Sequence, residues 1–391
     1  MYRRNFIRLT GGGMIAAATV STVGLTGCAQ NMPAEAIEAW RGPSPDLLTS
    51  DVRRWLLSYA ILAPHSHNLQ SWIVDLGTPN EILLSCDLKR LLPQTDPLSR
   101  QIMMSHGTFL ELLDLAAKER GLHADITLFP DGAFGPDQLD ARPVARIRLR
   151  PDTATQKDPL FAQLLLRHTN RGAYDLGRAV PATDWQAIAD AASPHALQFG
   201  QVGVEQVELI NLHRKIAAEA WRIELTTPRT IMESLNVLRV GTNEIAQHRD
   251  GLSLLDAKVV LLNRLGLFDR SKAPMPDDYA TTSQIKAFGE NLDSSPGFLW
   301  MVTERNDRVT QVNAGRAYAR VQLAATAQGL VMQPLSQALQ EYPEQQKPYA
   351  DIHALVGATN KGRTVQMWAR VGYAPAVSPS PRRRLQDFIR A

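Results

Sequence analysis

Ala63-Pro64-His65-Ser66-His67-Asn68-Leu69-Gln70-Ser71-Trp72 joins two segments of different period. Residues 47–62 carry the apolar spacing of a helix, and residues 72–76 alternate as a strand does. Pro64 stops the helix, because the residue before a proline is pushed out of the α region. Between the two lies a turn crowded with hydrogen-bonding groups. Asn68 and Gln70 each offer a carbonyl and an NH2, so they can pair with the alternating edge of a planar heterocycle. His65 and Ser66 add further donors and acceptors. The same composition also suits a turn whose side chains satisfy their own backbone, and the loop alone does not separate these readings.

Outward from the loop, residues 81–86 read as a strand, and 98–120 as a long amphipathic helix closed by Gly121. Residues 124–129 and 144–150 read as strands. In the latter Ile147 and Leu149 alternate with Arg146, Arg148 and Arg150, as in a half-buried strand. After a break near Lys157 come helices over 181–192 and 204–225, with a strand over 197–202 between them. The pattern loosens over 226–295, which reads as an insertion able to act as a lid. Order returns with a strand over 297–303, a helix over 308–328 and a strand over 365–373. Gly121-Leu122 and Gly329-Leu330 hold equivalent places in a weak two-fold echo at domain scale.

The 391 residues are enough for one or two domains with a large core. Lys+Arg of 42 against Asp+Glu of 39 is too near balance to point to nucleic acid. His65, His67 and His106 lack carboxylate or thiolate partners at ligand spacing, so no metal site is expected. No G-x-G-x-x-G follows a strand, and no P-loop or G-x-S-x-G elbow occurs.

The N-terminal residues read as an address. Arg3-Arg4-Asn5-Phe6-Ile7-Arg8 resembles a twin-arginine export motif, and a Gly/Ala-rich apolar run over 11–25 follows. Leu25-Thr26-Gly27-Cys28 resembles a bacterial lipobox, in which the cysteine is acylated. Residues 1–27 are therefore expected to be a signal peptide and 28–45 a tether. The expected location is outside the cytoplasmic membrane, periplasmic or anchored through Cys28. Cys86 then has no disulfide partner, so the core must hold without a staple.

A second stretch, Arg167-His168-Thr169-Asn170-Arg171, sets two guanidiniums at i and i+4 with a hydroxyl between them. That arrangement suits a phosphate, and equally a solvated basic helix end. Together the two stretches resemble the nitroreductase superfamily of FMN-binding proteins. Within it the chain is similar to the double-length, single-chain branch related to the mycobacterial Acg protein. The 167–171 segment resembles the family's Arg-Arg-Ser-x-Arg phosphate segment. Residues 63–72 resemble its Ala-Pro-Ser-x-x-Asn-x-Gln-Pro-Trp loop, with His65 and Ser71 departing from the pattern.

The resemblance implies an α+β fold of two fused nitroreductase-like domains, 46–155 and 156–391, paired as an intrachain pseudo-dimer. The first half has the loop and the second the arginine segment, so one FMN per chain is expected between them, without need of a homodimer. The implied cofactor-binding residues are Pro64, His65, Ser66, Asn68, Gln70, Arg167, His168, Thr169 and Arg171. To these it adds Leu335 and Ser336, where backbone N–H groups would face the flavin, and Arg383 and Arg384 from the Arg382-Arg383-Arg384 tail. Arg100 is a looser candidate. No protein nucleophile or catalytic acid is expected, because the flavin carries the redox chemistry. The implied activity is transfer of hydride or electrons through FMN to a nitro compound, a quinone or a similar small molecule. The alternative is an FMN-sequestering protein closed by the 226–295 segment.

Overall fold

The computed structural model describes residues 31–390. The expected export signal and the lipobox cysteine lie outside them. Two short 3-10 turns, Ala34–Ala36 and Glu38–Arg41, come first. They are not a free tether: Trp40 is buried, its indole N–H donates to the carbonyl of Ser380, and Arg382 N–H donates to the carbonyl of Ala36. An aromatic side chain with a hydrogen-bonding edge gains from burial and drags its segment with it.

The helix predicted over 47–62 is two helices, α1 (Pro45–Ser50) and α2 (Val52–Ala60). Asp51 divides them, because its carboxylate accepts from Arg53 N–H and so caps α2. Strands β1 (Trp72–Asp75) and β2 (Glu81–Cys86) form a hairpin with Trp72 opposite Cys86. The 20-residue helix α3 (Arg100–Glu119) follows, then β3 (Leu122–Leu128) and β4 (Pro143–Pro151). The order is β1-β2-β4-β3, every neighbour antiparallel. Ile147 and Leu149 point into the core while Arg148 and Arg150 face solvent, so the alternation reads as it should.

The second sheet repeats this plan. Helix α4 (Ala182–Ala192) leads to β5 (Gln198–Gly203), and a helical insertion follows. It comprises α5 (Val207–Thr226), α6 (Pro228–Asn236), β6 (Leu238–Val240), α7 (Gly241–His248), β7 (Leu252–Leu254), α8 (Ala257–Arg264) and α9 (Tyr279–Asp293). Then come β8 (Gly297–Thr303), the 20-residue α10 (Arg308–Ala327), β9 (Val331–Pro334), α11 (Gln346–Leu355) and β10 (Thr364–Gly372). The order β5-β8-β10-β9 is that of the first sheet strand for strand. The fold is α+β, and the domain-scale echo is a repeated topology.

The two long helices face each other across the repeat. A Cβ on Gly107 of α3 would stand 1.9 Å from the carbonyl oxygen of Val312, and one on Gly315 of α10 would stand 1.9 Å from that of Met104. Glycine at both crossing points lets the backbones touch, as only a hydrogen side chain allows. Gly315 follows Gly107 by the same interval as Arg308 follows Arg100 and Gly329 follows Gly121.

The C-terminal tail crosses back to the first sheet. Val74 N–H donates to the carbonyl of Phe388 and Arg390 N–H to that of Val74, which satisfies the free edge of β1. Residues of the predicted second half thus complete the first sheet, a connection that the sequence pattern does not reveal.

Candidate functional site

The loop after α2 owes its shape to three residues with positive φ, His67 at 48°, Asn68 at 53° and Gln70 at 54°. Non-glycine residues seldom stand there, and Asn and His are among those that do so most readily. The turn folds His65 in upon itself. Its Nδ1 is 2.8 Å from the carbonyl of Ser66, and its Nε2 is 3.1 Å from Ser71 N. Nδ1 therefore carries the proton, and Nε2 accepts. Burial pulls its pKa down to about 3, with the charges of His106, Arg382 and His67 acting in the same direction. Thr108 Oγ1 donates to the carbonyl of Pro64, while Ser66 N–H donates to Ser105 Oγ and Ser66 Oγ to Gln101 Oε1.

Asn68 and Gln70 stand differently from the expectation of free amides facing a ring. Asn68 Nδ2 donates to the carbonyl of Pro381 and its Oδ1 accepts from Arg382. Gln70 is fully buried; its Nε2 donates to the carbonyl of Arg249, and its Oε1 accepts from Arg383 N–H. Both side chains pin the tail and the insertion to the loop. Three segments that the sequence scatters thereby meet.

Arg382 is the centre of that meeting. Its guanidinium is buried and donates to Asn68 Oδ1 and to the carbonyls of Leu62, Ala63 and Pro381, with no carboxylate partner among the described residues. Arg167, also buried, donates to the carbonyl of Leu62 and to Gln322 Oε1. The Trp40 ring lies between the two, 5.4 Å from the Arg167 carbon and 5.0 Å from that of Arg382, with His168 edge-on at 4.8 Å. Burial lowers the pKa of Arg167 to about 10 and pushes that of Arg382 well below the ordinary guanidinium value, Arg167 adding repulsion. His168 falls to about 4 through burial and the charges of both arginines.

Arg171 is exposed at the surface, and desolvation lowers its guanidinium pKa. Its charge is felt at His67, whose pKa burial lowers to about 4. His67 Nε2 also stands 3.2 Å from Ser234 Oγ of the insertion. Tyr318 of α10 lies against Arg167 and Arg171, and burial raises its phenol pKa. Thr169 pairs with Met332 on the edge of β9.

What the cluster lacks is as informative as what it holds. Arg167 Nε, Arg382 Nε, His168 Nδ1 and Tyr318 Oη are buried without a hydrogen-bond partner among the described residues. Two buried guanidiniums with orphaned donors and only neutral acceptors are costly unless an anion completes them. A phosphate monoester supplies that charge and several acceptors at once.

The remaining expected residues lie elsewhere. Leu335 sits in the second core, and its N–H is taken by the carbonyl of Trp368, because the chain there continues the β9 pairing. Ser336 opens a 3-10 turn beyond it. Arg383 is spent on the carbonyls of Gln70 and Asp387, and Arg384 is exposed beside Asp387, so of the tail only Arg382 enters the cluster. Arg100 is buried in a salt bridge to Glu341 at the head of α3. Trp40, Tyr318 and Gln322 escape sequence reading. A tryptophan in a presumed tether and a tyrosine in a long helix carry no local signal.

The repeat supplies an internal control. Pro194-His195-Ala196-Leu197-Gln198, between α4 and β5, holds the place that Pro64-His65 and Leu69-Gln70 hold between α2 and β1, shortened and without the Ser-His-Asn turn. It borders a cavity of about 620 Å³, which adjoins another of about 860 Å³; neither is lined by a residue of the basic cluster. Here the charges cancel. Glu111 bridges Arg316 at 2.8 Å and Arg320 at 2.9 Å, Asp158 bridges Arg320 at 2.9 Å, and Asp114 bridges Lys118 at 3.0 Å. Burial alone would raise the Glu111 carboxyl, but Arg316 and Arg320 outweigh it and hold it ionised. These two cavities therefore have no unpaired positive charge to offer an anion, whereas the buried cluster does.

No family model matches the chain. Two Mycobacterium tuberculosis proteins, from strains CDC 1551 and H37Rv, are provisionally named NAD(P)H nitroreductases. Each is 27% identical over 344 residues, 86% of this chain and 90% of the relative. Among solved structures, a nitroreductase, so named provisionally, from Anabaena variabilis covers 87% of this chain and 91% of its own, at 12% identity and a TM-score of 0.44. An FMN- and NADPH-dependent nitroreductase from a Sphingopyxis strain covers 60% of this chain and 99% of its own, at 18% identity and a TM-score of 0.37.

Proposed function

We propose that this chain is an FMN-dependent oxidoreductase of the nitroreductase type, holding one flavin where the loop, the arginine segment and the tail meet. The observation that carries the reading is the carboxylate-free cluster of Arg167, Arg382 and His168, with its orphaned donors. The sequence relatives named as nitroreductases agree with it. Arg167 and Arg382 would hold the phosphate, with His168 and the Tyr318 hydroxyl completing its acceptors and Arg171 at the open side. The Pro64–Ser71 loop, held rigid by Asn68 and Gln70, would shape the face presented to the ring. Bound there, FMN supplies hydride and electron transfer to a small acceptor such as a nitro compound or a quinone. The residues bind, orient and exclude water, and none is required as an acid or nucleophile.

The expected address bears on the donor. Export by the twin-arginine route and acylation at Cys28 would set the protein outside the cytoplasm, where NAD(P)H is not normally available, so a quinol is a fitting donor. Mass spectrometry of the mature N-terminus tests this; a chain starting at Ala29 or later removes the acyl claim. Storage of FMN is the second reading. It is favoured by the insertion's bonds to the loop through Ser234, Arg249 and Gly251.

Titration of flavin-free protein tests the site. FMN should bind and riboflavin, lacking the phosphate, should bind at least about a hundredfold more weakly, the value of two lost charged hydrogen bonds. Equal affinity for the two would remove the phosphate assignment. Bleaching of the bound flavin by NADH, NADPH or a quinol, and recovery with a nitroaromatic or quinone, supports the enzyme; flavin inert to all of these supports storage.

A further inference from the structure

The insertion between β5 and β8 carries apolar side chains that no described residue covers. On α8 and the turn after it Leu261 is 57% exposed, Leu265 61% and Leu267 36%, while Val259, Val260 and Phe268 point inward. The exposed leucines are therefore not fraying core. Three leucines within seven residues form a patch that an isolated soluble surface seldom keeps without use. Lys258, Arg264 and Lys272 are exposed around it. Among the described side chains of this stretch, Arg270 is neutralised by Glu244, and the Asp269 carboxylate accepts from Ser271 N–H and Oγ. Asp256 is occupied capping α8. Asp269 stays ionised with Lys272 beside it, so the positive charges without an ion pair among the described residues are those of Lys258 and Arg264, next to the apolar tips. That pairing suits an anionic lipid surface, where leucines enter the headgroup boundary and lysines and arginines meet phosphates.

The point at which the described chain begins agrees. The turn Ala34–Ala36 rests on α7. Helix α7 is in turn joined to α8, since Asn263 donates to Glu244, and Arg270 to the same carboxylate. Cys28 precedes Ala34 by a handful of residues, a reach of roughly 20 Å when fully extended. A chain tethered at that end would present this same insertion to the bilayer.

We infer that the α8 edge of the insertion, with Leu261, Leu265 and Leu267 flanked by Lys258 and Arg264, is a docking face for an anionic membrane. It acts in addition to any acyl anchor and does not depend on the flavin. Full-length Cys28→Ser protein, which cannot be acylated, is sedimented with vesicles of phosphatidylethanolamine and phosphatidylglycerol, and with vesicles of phosphatidylcholine alone. The bound fraction should be about tenfold higher on the anionic vesicles, the effect of little more than one effective basic contact. Leu261→Glu with Leu265→Glu in that background should fall to the phosphatidylcholine level, with melting temperature and flavin absorbance unchanged. The inference is overturned if the parent ignores anionic vesicles or if the double variant binds them equally well. It is also overturned if light scattering without lipid shows a dimer that the double variant breaks, since the patch then serves a second copy. A colourless parent that still binds vesicles would instead count against the flavin reading alone.

Discussion

Arg382 and Arg384 stand two residues apart in one basic run, yet only the first is buried among neutral acceptors. Arg382→Ala should weaken FMN by about ten- to a hundredfold, the range of one charged hydrogen-bonding group. Arg384→Ala should leave it unchanged; absorbance of the dialysed proteins at the flavin maximum reads both. The imidazoles give a second test. Burial lowers His65 to about 3 and His67, His106, His168, His195 and His213 to about 4, so the unfolded chain binds protons that the native one refuses. Stability from these groups is full above the ordinary imidazole value of about 6.5 and is lost as pH falls from there toward 4. Asp96, raised to about 6, and Glu224, raised to about 7, mainly by burial, act the opposite way, losing stability as pH rises through those values. Six groups outweigh two, so the melting temperature should drop between pH 6.5 and 4.5. His168→Gln should flatten that drop, and an unaltered slope would show that His168 does not contribute to it.

At the scale of elements, the crossing of α3 and α10 is the most demanding contact. Gly107→Ala or Gly315→Ala would drive a methyl into a carbonyl 1.9 Å away, and backbone rather than a flexible side chain has to yield. Each should cost about 2–3 kcal/mol in urea unfolding, the upper part of the overpacking range; a loss below about 0.5 kcal/mol would contradict so close an approach. Much of this level is legible in the sequence. The 98–120 and 308–328 helices carry apolar faces and closing glycines, and residues 144–150 alternate without ambiguity. What periodicity cannot carry is contact between distant segments. Nothing local says that residues 33–41 fold onto Ser380, or that the tail pairs with β1. Hence Arg167 stands out by its motif, whereas the packing of Trp40 and Tyr318 near it has no local signal, and nothing in the Arg382-Arg383-Arg384 run says which of the three is buried.

For the molecule as a whole, the repeat makes two equivalent places that differ in their charge. Glu111, Asp114 and Asp158 quench the arginines on one side, while Arg167 and Arg382 keep their charge unbalanced on the other. Native mass spectrometry should find a single flavin per chain even in excess FMN, and a doubly loaded species would refute the asymmetry. The basic cluster draws on residues 40, 65, 167, 318 and 382, the last only nine positions from the end of the sequence. A chain truncated before Arg382 should therefore lose one of the two guanidiniums proposed to hold the FMN phosphate. Flavin absorbance of such truncated chains would read the loss directly.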